Sequence, residues 1–255
     1  MAYGFRALWA MALPAVLAAA IVPPAAACTP EPGYRVPGNL ELVGEAETIV
    51  VAQVTGATLA EDDPEASTIR IRPLAAVKGP LPQGEIALRG MMLARDAGPE
   101  LGVLSNPYDF ERAHPVSYIG ACTRFVFPLG TTALFFLRTD HEGMWAPAGG
   151  AFTRWAEDVP DVGAPWVQLA RFYTIAAGLP EEDRAGFLED EREALFARAD
   201  DPVAQLMAAD IARQLAGPRQ APDLGLSGEE DAAETESAVE AALRKMRQAA
   251  IEGGN

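Results

Sequence analysis

The chain has 255 residues, of which 49% are apolar, and it carries 36 acidic against 20 basic side chains. This length accommodates one large domain or two small ones, and the apolar fraction is sufficient for a hydrophobic core. A formal net charge of −16 repels nucleic acid and anionic lipid surfaces, which argues against nucleic-acid binding and favours basic or cationic partners.

The first 27 residues have the composition of an export signal. Arg6 provides a positive start, residues 7–22 are almost wholly apolar, and residues 25–27 are three alanines typical of a signal-peptidase site. A retained membrane anchor is the alternative, but prolines within and after the apolar run disfavour a spanning helix of about 20 residues. The sequence therefore predicts cleavage before Cys28, a periplasmic or extracellular location, and no membrane span after cleavage.

Cys28 and Cys122 are the only two cysteines of the chain. Thiols that reach an oxidising compartment tend to pair, so export predicts a disulfide between these two residues. Two alternatives stay open: two free buried thiols, or a lipoprotein anchored by acylation of Cys28. Ala25 stands where lipid-attachment sites usually carry leucine, which favours ordinary cleavage.

Hydrophobic periodicity predicts a short helix and five strands in the first half. The run 48–55 is apolar on both faces, which indicates a central strand. In 68–72 apolar and polar residues alternate strictly, which indicates a strand with one solvent-exposed face. Pro73 cannot donate a ladder hydrogen bond, so it predicts a bulge or a sheet edge. The predicted elements are a helix at 39–47 and strands at 48–55, 68–77, 85–89, 124–127 continued at 132–138, and 144–152, the last broken by Pro147 and Gly149-Gly150.

The stretch 91–117 is interrupted by three X-Pro or Gly-Pro pairs and predicts a long irregular insertion, which in a compact domain is usually functional or disordered.

From Pro165 onward the apolar residues recur at helical spacing. This spacing predicts three helices, beginning near Pro165, Pro180 and Pro202, because proline is favoured in the first turn of a helix. Gly217-Pro218 ends the third helix. The predicted organisation is a signal peptide (1–27), a β domain (28–155), a helical region (164–217), and a linker with an alanine-rich terminal helix that is disordered when alone (218–255).

Several short motifs occur in a suggestive order along the β domain. In that order and spacing they resemble the netrin-like family of OB-fold barrels, and within it the tissue inhibitors of metalloproteinases and their bacterial relatives. The resemblance covers about 28–155 and implies an α+β fold, with a small five-stranded antiparallel OB-like β-barrel followed by the C-terminal helical region. The motifs are Cys28-Thr29 at the new N-terminus, the valine-rich strand Ala46–Val54, Val77-Lys78-Gly79, Cys122 before Arg124-Phe125, and Gly130 before an apolar strand.

The resemblance also implies a contact site. In those inhibitors the α-amine and carbonyl of the first cysteine chelate the zinc of the target peptidase, and the second residue enters its specificity pocket. Cys28 and Thr29 match these two positions, with simple anchoring of the chain end by Cys28 as the alternative. This chain departs from the Cys-x-Cys opening of the inhibitors, since Pro30 is its third residue, and its helical half has no counterpart in them.

No catalytic constellation is recognisable in the sequence. His114 and His141 lack a second His or Cys at ligand spacing, and Asp140-His141-Glu142 is typical of a solvated hairpin turn rather than a metal site. No serine stands in a Gly-x-Ser-x-Gly context. Trp145, Trp155 and Trp166 predict packing at the junction of the two halves, with a ligand pocket there as the alternative.

These observations predict an exported, non-enzymatic binding module with no cofactor and no metal. The favoured partner is a protein, and inhibition of a metallopeptidase is one form such binding would take. The first alternative is an envelope carrier that binds a small ligand at the mouth of the barrel, and the second is a hydrolase whose activity depends on His114 or His141.

Overall fold

The structure is a computed structural model that describes residues 33–58, 60, 67–89, 104–118, 122–217 and 219–220, the last two for their backbone only. Cys28, Thr29 and the predicted terminal helix lie outside the described residues. Within them the chain forms an α+β fold with an antiparallel six-stranded sheet, a separate two-stranded pairing and four helices. The strands are β1 (Arg35–Val36), β2 (Thr48–Thr58), β3 (Thr68–Lys78), β4 (Ile86–Arg89), β5 (Thr132–Thr139), β6 (Trp145–Pro147), β7 (Ala156–Asp158) and β8 (Arg219–Gln220).

The sheet is built around β2 and β5. Its strand order is β4-β3-β2-β5-β6, and β7 pairs with the first half of β5 on the same side as β6. β2 is buried on both faces, which confirms the prediction of a central strand. At Pro73 the register shifts, because Val51 opposes Ala75 while Ala52 opposes Pro73. The predicted bulge is therefore confirmed.

The two edges of the sheet approach each other. β4 and β6 lie close in space, and Arg89 Nη1 of β4 donates to Glu142 Oε2, in the turn before β6, at 3.0 Å. No ladder joins the two strands within the part of the chain that the structure describes. The sheet is thus curved but open, and a closed barrel is not established.

Four helices flank the sheet: α1 (Asn39–Glu45), α2 (Pro165–Ala177), α3 (Glu181–Phe196) and α4 (Pro202–Ala216). α2 and α4 begin at Pro165 and Pro202, and α3 begins directly after Pro180. This confirms the three helices predicted after residue 164. The Asp201 side chain caps α4 by accepting hydrogen bonds from the backbone N–H groups of Val203 and Ala204 at 3.0 and 3.1 Å. α3 buries only Leu188 and Leu195, so it lies at the periphery.

One hydrophobic core includes residues of the sheet and of the helices. Trp166 of α2 packs against Phe136 of β5 with ring centroids 5.4 Å apart, and Trp155 packs against Phe135 at 6.0 Å. Consecutive strand residues point to opposite faces of a sheet. Trp155 and Trp166 therefore lie on different faces and do not form the single cluster expected at the junction.

Two strand boundaries differ from the prediction. The run 144–152 is a strand only at Trp145–Pro147; the predicted break after Pro147 is confirmed, and the strand does not resume beyond Gly149, which adopts a left-handed φ of +76°. The segment 124–127 lies outside the strands of the sheet, and β7 was not predicted at all.

Candidate binding site

Polar side chains gather where the 104–118 loop meets β7. Ser105 and His114 come from the loop, Arg124 from the segment before β5, and Glu157 and Asp158 from β7. All five are more than nine-tenths buried, and together they form the loop–sheet polar cluster. Buried charges are stable only when they are paired and hydrogen-bonded, so the contacts within this cluster determine its role.

Asp158 is the centre of the cluster. Its Oδ1 lies 2.8 Å from Arg124 Nη2, and its Oδ2 accepts a hydrogen bond from Ser105 N at 2.9 Å and lies 3.5 Å from His114 Nε2. Burial opposes the charged form of Asp158, but the Arg124 guanidinium and the hydrogen bond from His114 outweigh it. They hold the pKa of Asp158 well below its ordinary value. The carboxylate is thus ionised at neutral pH.

Arg124 is satisfied on every side that the structure describes. Nη1 donates to the carbonyl of Ala156 at 3.2 Å and Nε to that of Val126 at 3.3 Å. The guanidinium carbon also lies 4.3 Å from the centroid of the Phe127 ring. Arg124 therefore holds the segment before β5 against β7.

Glu157 ties the loop to the same strand. One oxygen accepts from Ser105 Oγ at 2.5 Å, and the other accepts from the backbone N–H of His114 at 3.0 Å. The Ser105 hydroxyl also accepts from Asp158 N, and His114 Nδ1 accepts from Val116 N at 3.2 Å. The serine hydroxyl and both ring nitrogens are therefore engaged inside the protein. This arrangement anchors the loop rather than forming a nucleophile and base open to a substrate.

The outer side of the same loop is exposed. Tyr108 has 57% of its surface accessible and Leu104 43%. Side chains of the loop also brace its backbone: Asn106 Oδ1 accepts from Tyr108 N at 3.0 Å, and Asp109 Oδ1 accepts from Glu111 N at 2.7 Å. The loop therefore exposes Leu104 and Tyr108 on a backbone that is fixed by hydrogen bonds from its own side chains and from the loop–sheet polar cluster.

A second polar region, the Arg154 pocket, has both Arg154 and Phe110 in its lining. It is a cavity of about 160 Å³ between the start of α1, the end of α4, Phe110 and the residues after Phe152. Phe152 and Cys122 both have positive φ, at 58° and 56°, and Phe152 N donates to the Cys122 carbonyl at 2.6 Å. Non-glycine residues rarely adopt this left-handed backbone conformation. The two residues set the direction of the chain that leads into Arg154.

A hydrogen-bonded network of four side chains, the Asp210 network, lies beside this pocket and joins α1, α2 and α4. Asp210 of α4 is buried, and it accepts from Tyr173 Oη at 2.6 Å, from Asn39 Nδ2 at 3.0 Å and from Arg213 Nη2 at 2.9 Å. Burial and the charge of Asp210 raise the pKa of Tyr173 well above its usual value. The phenol therefore remains a donor to the carboxylate at physiological pH.

The site residues predicted from sequence are not brought together in the described residues. Cys28 and Thr29 lie outside them, so the bridge to Cys122 and the proposed peptidase contact stay predictions. His114 is buried in the loop–sheet polar cluster, whereas the His141 side chain is 90% exposed in the turn between β5 and β6. Asp140 accepts from the backbone of Glu142 and of Met144 there, as in an ordinary turn.

Sequence reasoning missed the residues that contribute most to both regions. Arg154, Glu157, Asp158 and Asp210 were not singled out, and Arg124 was named only as part of a motif. The available signal was weak, since charged residues flank Trp155 and Ala156 without any periodicity. A charged side chain is most often solvated, and only the pairing of distant segments shows that these are buried.

Comparison with protein-family models, with curated proteins and with solved structures finds no match for this chain. The resemblance to the netrin-like family therefore stays a prediction. Among the described residues, no three His, Cys, Asp or Glu side chains lie close enough to hold a metal ion. In the same part of the chain, no helix has the length and apolarity needed to cross a bilayer.

Proposed function

We propose that this protein is an exported, non-enzymatic binding module of the netrin-like barrel type whose partner is another protein. The strand order and the approach of β4 to β6 support the barrel, because the two edge strands of a partly open five-stranded barrel lie close together. Trp166 packs on the face of the sheet that carries Phe136, whereas Phe127 and Trp155 pack on the face that carries Phe135.

The observation that carries the protein-binding function is the anchored loop 104–118. Ser105 and His114 of this loop are buried in the loop–sheet polar cluster, while Leu104 and Tyr108 remain exposed. A loop already ordered in the free protein loses little entropy on binding, and tyrosine is enriched where protein interfaces gain most of their energy. The surface formed by Leu104 and Tyr108 is termed the loop surface.

The test uses capture of partners from an envelope extract, comparing three versions of the processed protein. Tyr108→Ala removes the exposed ring of the loop surface. Ile175→Ala is the matched control, because Ile175 is similarly exposed but lies on α2. We expect the same partner to be retained by the wild type and by the control and to be lost by Tyr108→Ala. Equal retention by all three proteins, or no retained partner at all, would contradict the proposal.

Inhibition of a zinc peptidase is the specific form of binding that the N-terminal resemblance implies. An amine can ligate zinc only when it is uncharged and placed at a fixed chain end, which a Cys28–Cys122 bridge would provide. We expect protein that begins at Cys28 to inhibit a panel of metallopeptidases, and protein with one added N-terminal alanine to lose this effect. Equal inhibition by both forms would show that the amine of Cys28 is not the ligand.

The state of Cys28 separates this proposal from a lipoprotein. Acylation consumes the thiol and blocks the amine, so neither the bridge nor zinc chelation would survive it. We expect the intact mass of the processed protein to be two hydrogens below that of the reduced chain. A mass increased by acyl chains would establish the lipid-anchored alternative instead.

A carrier of a small ligand is the second candidate function, and the Arg154 pocket favours it. The pocket lies beside α1 and α4 rather than at the mouth of the curved sheet. Native mass spectrometry of the purified protein would reveal a retained ligand as an added mass that is lost on denaturation.

A further inference from the structure

The corner between α3 and α4 carries an aromatic side chain that the fold leaves in solvent. Phe196, the last residue of α3, has 67% of its surface accessible, more than any other large apolar side chain that the structure describes. Gln205 of α4 fixes this corner. Its Nε2 group donates to the carbonyl oxygens of Leu195, Phe196 and Arg198 at 3.2, 3.1 and 3.1 Å. A shallow, mostly apolar hollow lies at the same corner and is lined by Ala199, Asp200, Pro202, Gln205 and Leu206. The corner is therefore an ordered apolar surface open to a contact.

The helix that ends at this corner is strongly acidic. The 16 residues of α3 include seven acids and two bases, which gives a formal charge of −5. Residues three, four and seven positions before Phe196 share its face of the helix, and they are Glu193, Arg192 and Glu189. Glu189 pairs with Arg192 at 2.8 Å, so this face keeps an excess of one carboxylate beside the exposed ring. Such a face fits an occupant that is both apolar and basic.

The chain beyond Gln220 contains a segment of this character. It holds only three basic residues, all within four positions: Arg244, Lys245 and Arg247. Three larger apolar residues recur there at helical spacing: Val239, Leu243 and Met246. In the helix that this spacing predicts, Arg247 flanks the apolar stripe, whereas Lys245 lies on the opposite side. The stripe and its flanking base therefore match the ring and the carboxylates of α3.

The connecting chain is long enough to bring this segment to the corner. α4 has 15 residues, so the corner at its start lies about 22 Å from its C-terminal end. The 18 residues between Gln220 and Val239 span up to about 60 Å when extended. A tethered segment is also present at an effective concentration in the millimolar range, which favours its own corner over that of a second molecule.

We propose that residues 239–247 of this chain dock on the corner between α3 and α4, antiparallel to α3, with Leu243 and Met246 on Phe196 and the hollow. In this orientation Arg247 lies beside Glu193. Residues 229–236, which hold five acids and no base, then lie beyond the C-terminal end of α3, away from its acidic side chains. The contact covers apolar surface that is otherwise exposed. It does not depend on the loop surface or on the partner proposed for it.

Zero-length cross-linking of the full processed chain tests the contact. A carbodiimide joins an amine to a carboxylate only where the two groups touch, and the chain has only two lysines, Lys78 and Lys245. Arg247→Lys introduces an amine on the side that we place against α3. We expect peptides from the monomer in which position 247 is linked to Glu189 or Glu193. Lys245 is the internal control, because it lies on the other side of the same predicted helix and should give few links to α3.

Three results would overturn the proposal. The first is the absence of any link from position 247 to α3. The second is equal linking of positions 245 and 247 to α3, because a docked helix has one orientation. The third is linking to α3 only in a covalent dimer, which would make a second copy of the chain the occupant.

A substitution at the corner locates the contact. Phe196→Ser, made in the Arg247→Lys protein, removes the ring but keeps every amine and carboxylate, so a loss of links reports docking rather than reactivity. We expect the links to fall about tenfold, since burial of an aromatic ring contributes at least this factor to an equilibrium. Ile175→Ser in the same protein is the matched control, because Ile175 is 61% exposed but lies on α2. Unchanged links in Phe196→Ser, or the same loss in both variants, would refute the proposal.

Discussion

Replacing Asp158 by asparagine tests whether the loop–sheet polar cluster holds the loop in place. Asparagine keeps the size of the side chain but removes its charge, which leaves the Arg124 guanidinium, 1% exposed, without its anion. It also turns one amide NH₂ toward donors such as Ser105 N, 2.9 Å from the present carboxylate. Breaking a buried ion pair by removing one partner costs about 3–5 kcal/mol.

The lower end of this range applies here, because Arg124 keeps two carbonyl acceptors and the Phe127 ring. We therefore expect the free energy of unfolding to fall by about 3 kcal/mol at pH 7. For a domain of this size that loss lowers the melting temperature by about 6–12 °C. Urea unfolding followed by circular dichroism measures the first quantity, and calorimetry measures the second.

The effect should depend on pH in a defined direction. The folded-state pKa of Asp158 is depressed, so its contribution to stability is fully present above the unfolded-state pKa of about 3.9. Below that pH the unfolded chain takes up a proton that the folded chain does not, and the contribution declines toward the folded-state pKa. The difference between wild type and Asp158→Asn should therefore shrink as the pH is lowered below about 4.

Glu189→Gln is the control for this experiment, since Glu189 pairs with Arg192 on the exposed surface of α3 and we expect no measurable change in the unfolding midpoint. A loss in Asp158→Asn no larger than in the control, or a loss independent of pH down to the acid transition, would show that the cluster does not stabilise the fold as described.

Two further changes test other parts of the structure. Tyr173→Phe removes the 2.6 Å hydrogen bond to buried Asp210 and should lower the free energy of unfolding by about 1.5–3 kcal/mol. Tyr108→Phe, at an exposed side chain, should leave the free energy of unfolding unchanged, and equal effects of the two changes would contradict a special role for the Asp210 network. Gly149→Ala should lower the free energy of unfolding, measured with urea, by more than Gly143→Ala does, although both positions have φ of +76°. The new Cβ at Gly149 would lie 2.9 Å from carbon atoms of two neighbouring side chains, which adds about 1–3 kcal/mol to the loss in the free energy of unfolding. The space at Gly143 is open. Equal losses in the two variants would mean that this close packing is absent.

The elements predicted well are those whose signals are local. β2 was recognised because a β-branched, apolar run buried on both faces has a distinctive composition, and the helix starts because proline and the Asp201 cap act within one turn. The bulge at Pro73 follows from one missing N–H group. Such features depend on residues near in sequence, so no knowledge of the tertiary fold is needed to find them.

Both polar regions depend on residues that are distant in sequence. Asp158 contacts Arg124, 34 residues away in sequence, and Ser105, 53 residues away. Asp210 contacts Asn39, which is 171 residues away. β7 is three residues long and includes two acids, so neither periodicity nor propensity marks it as a strand, and it exists because β5 offers an unpaired edge. Sequence alone therefore determined the central strand, the helices and the acidic character of the chain. Only the tertiary structure decided which charges are buried and how they are paired, because the energy of a buried charge depends on the partners that the fold brings to it.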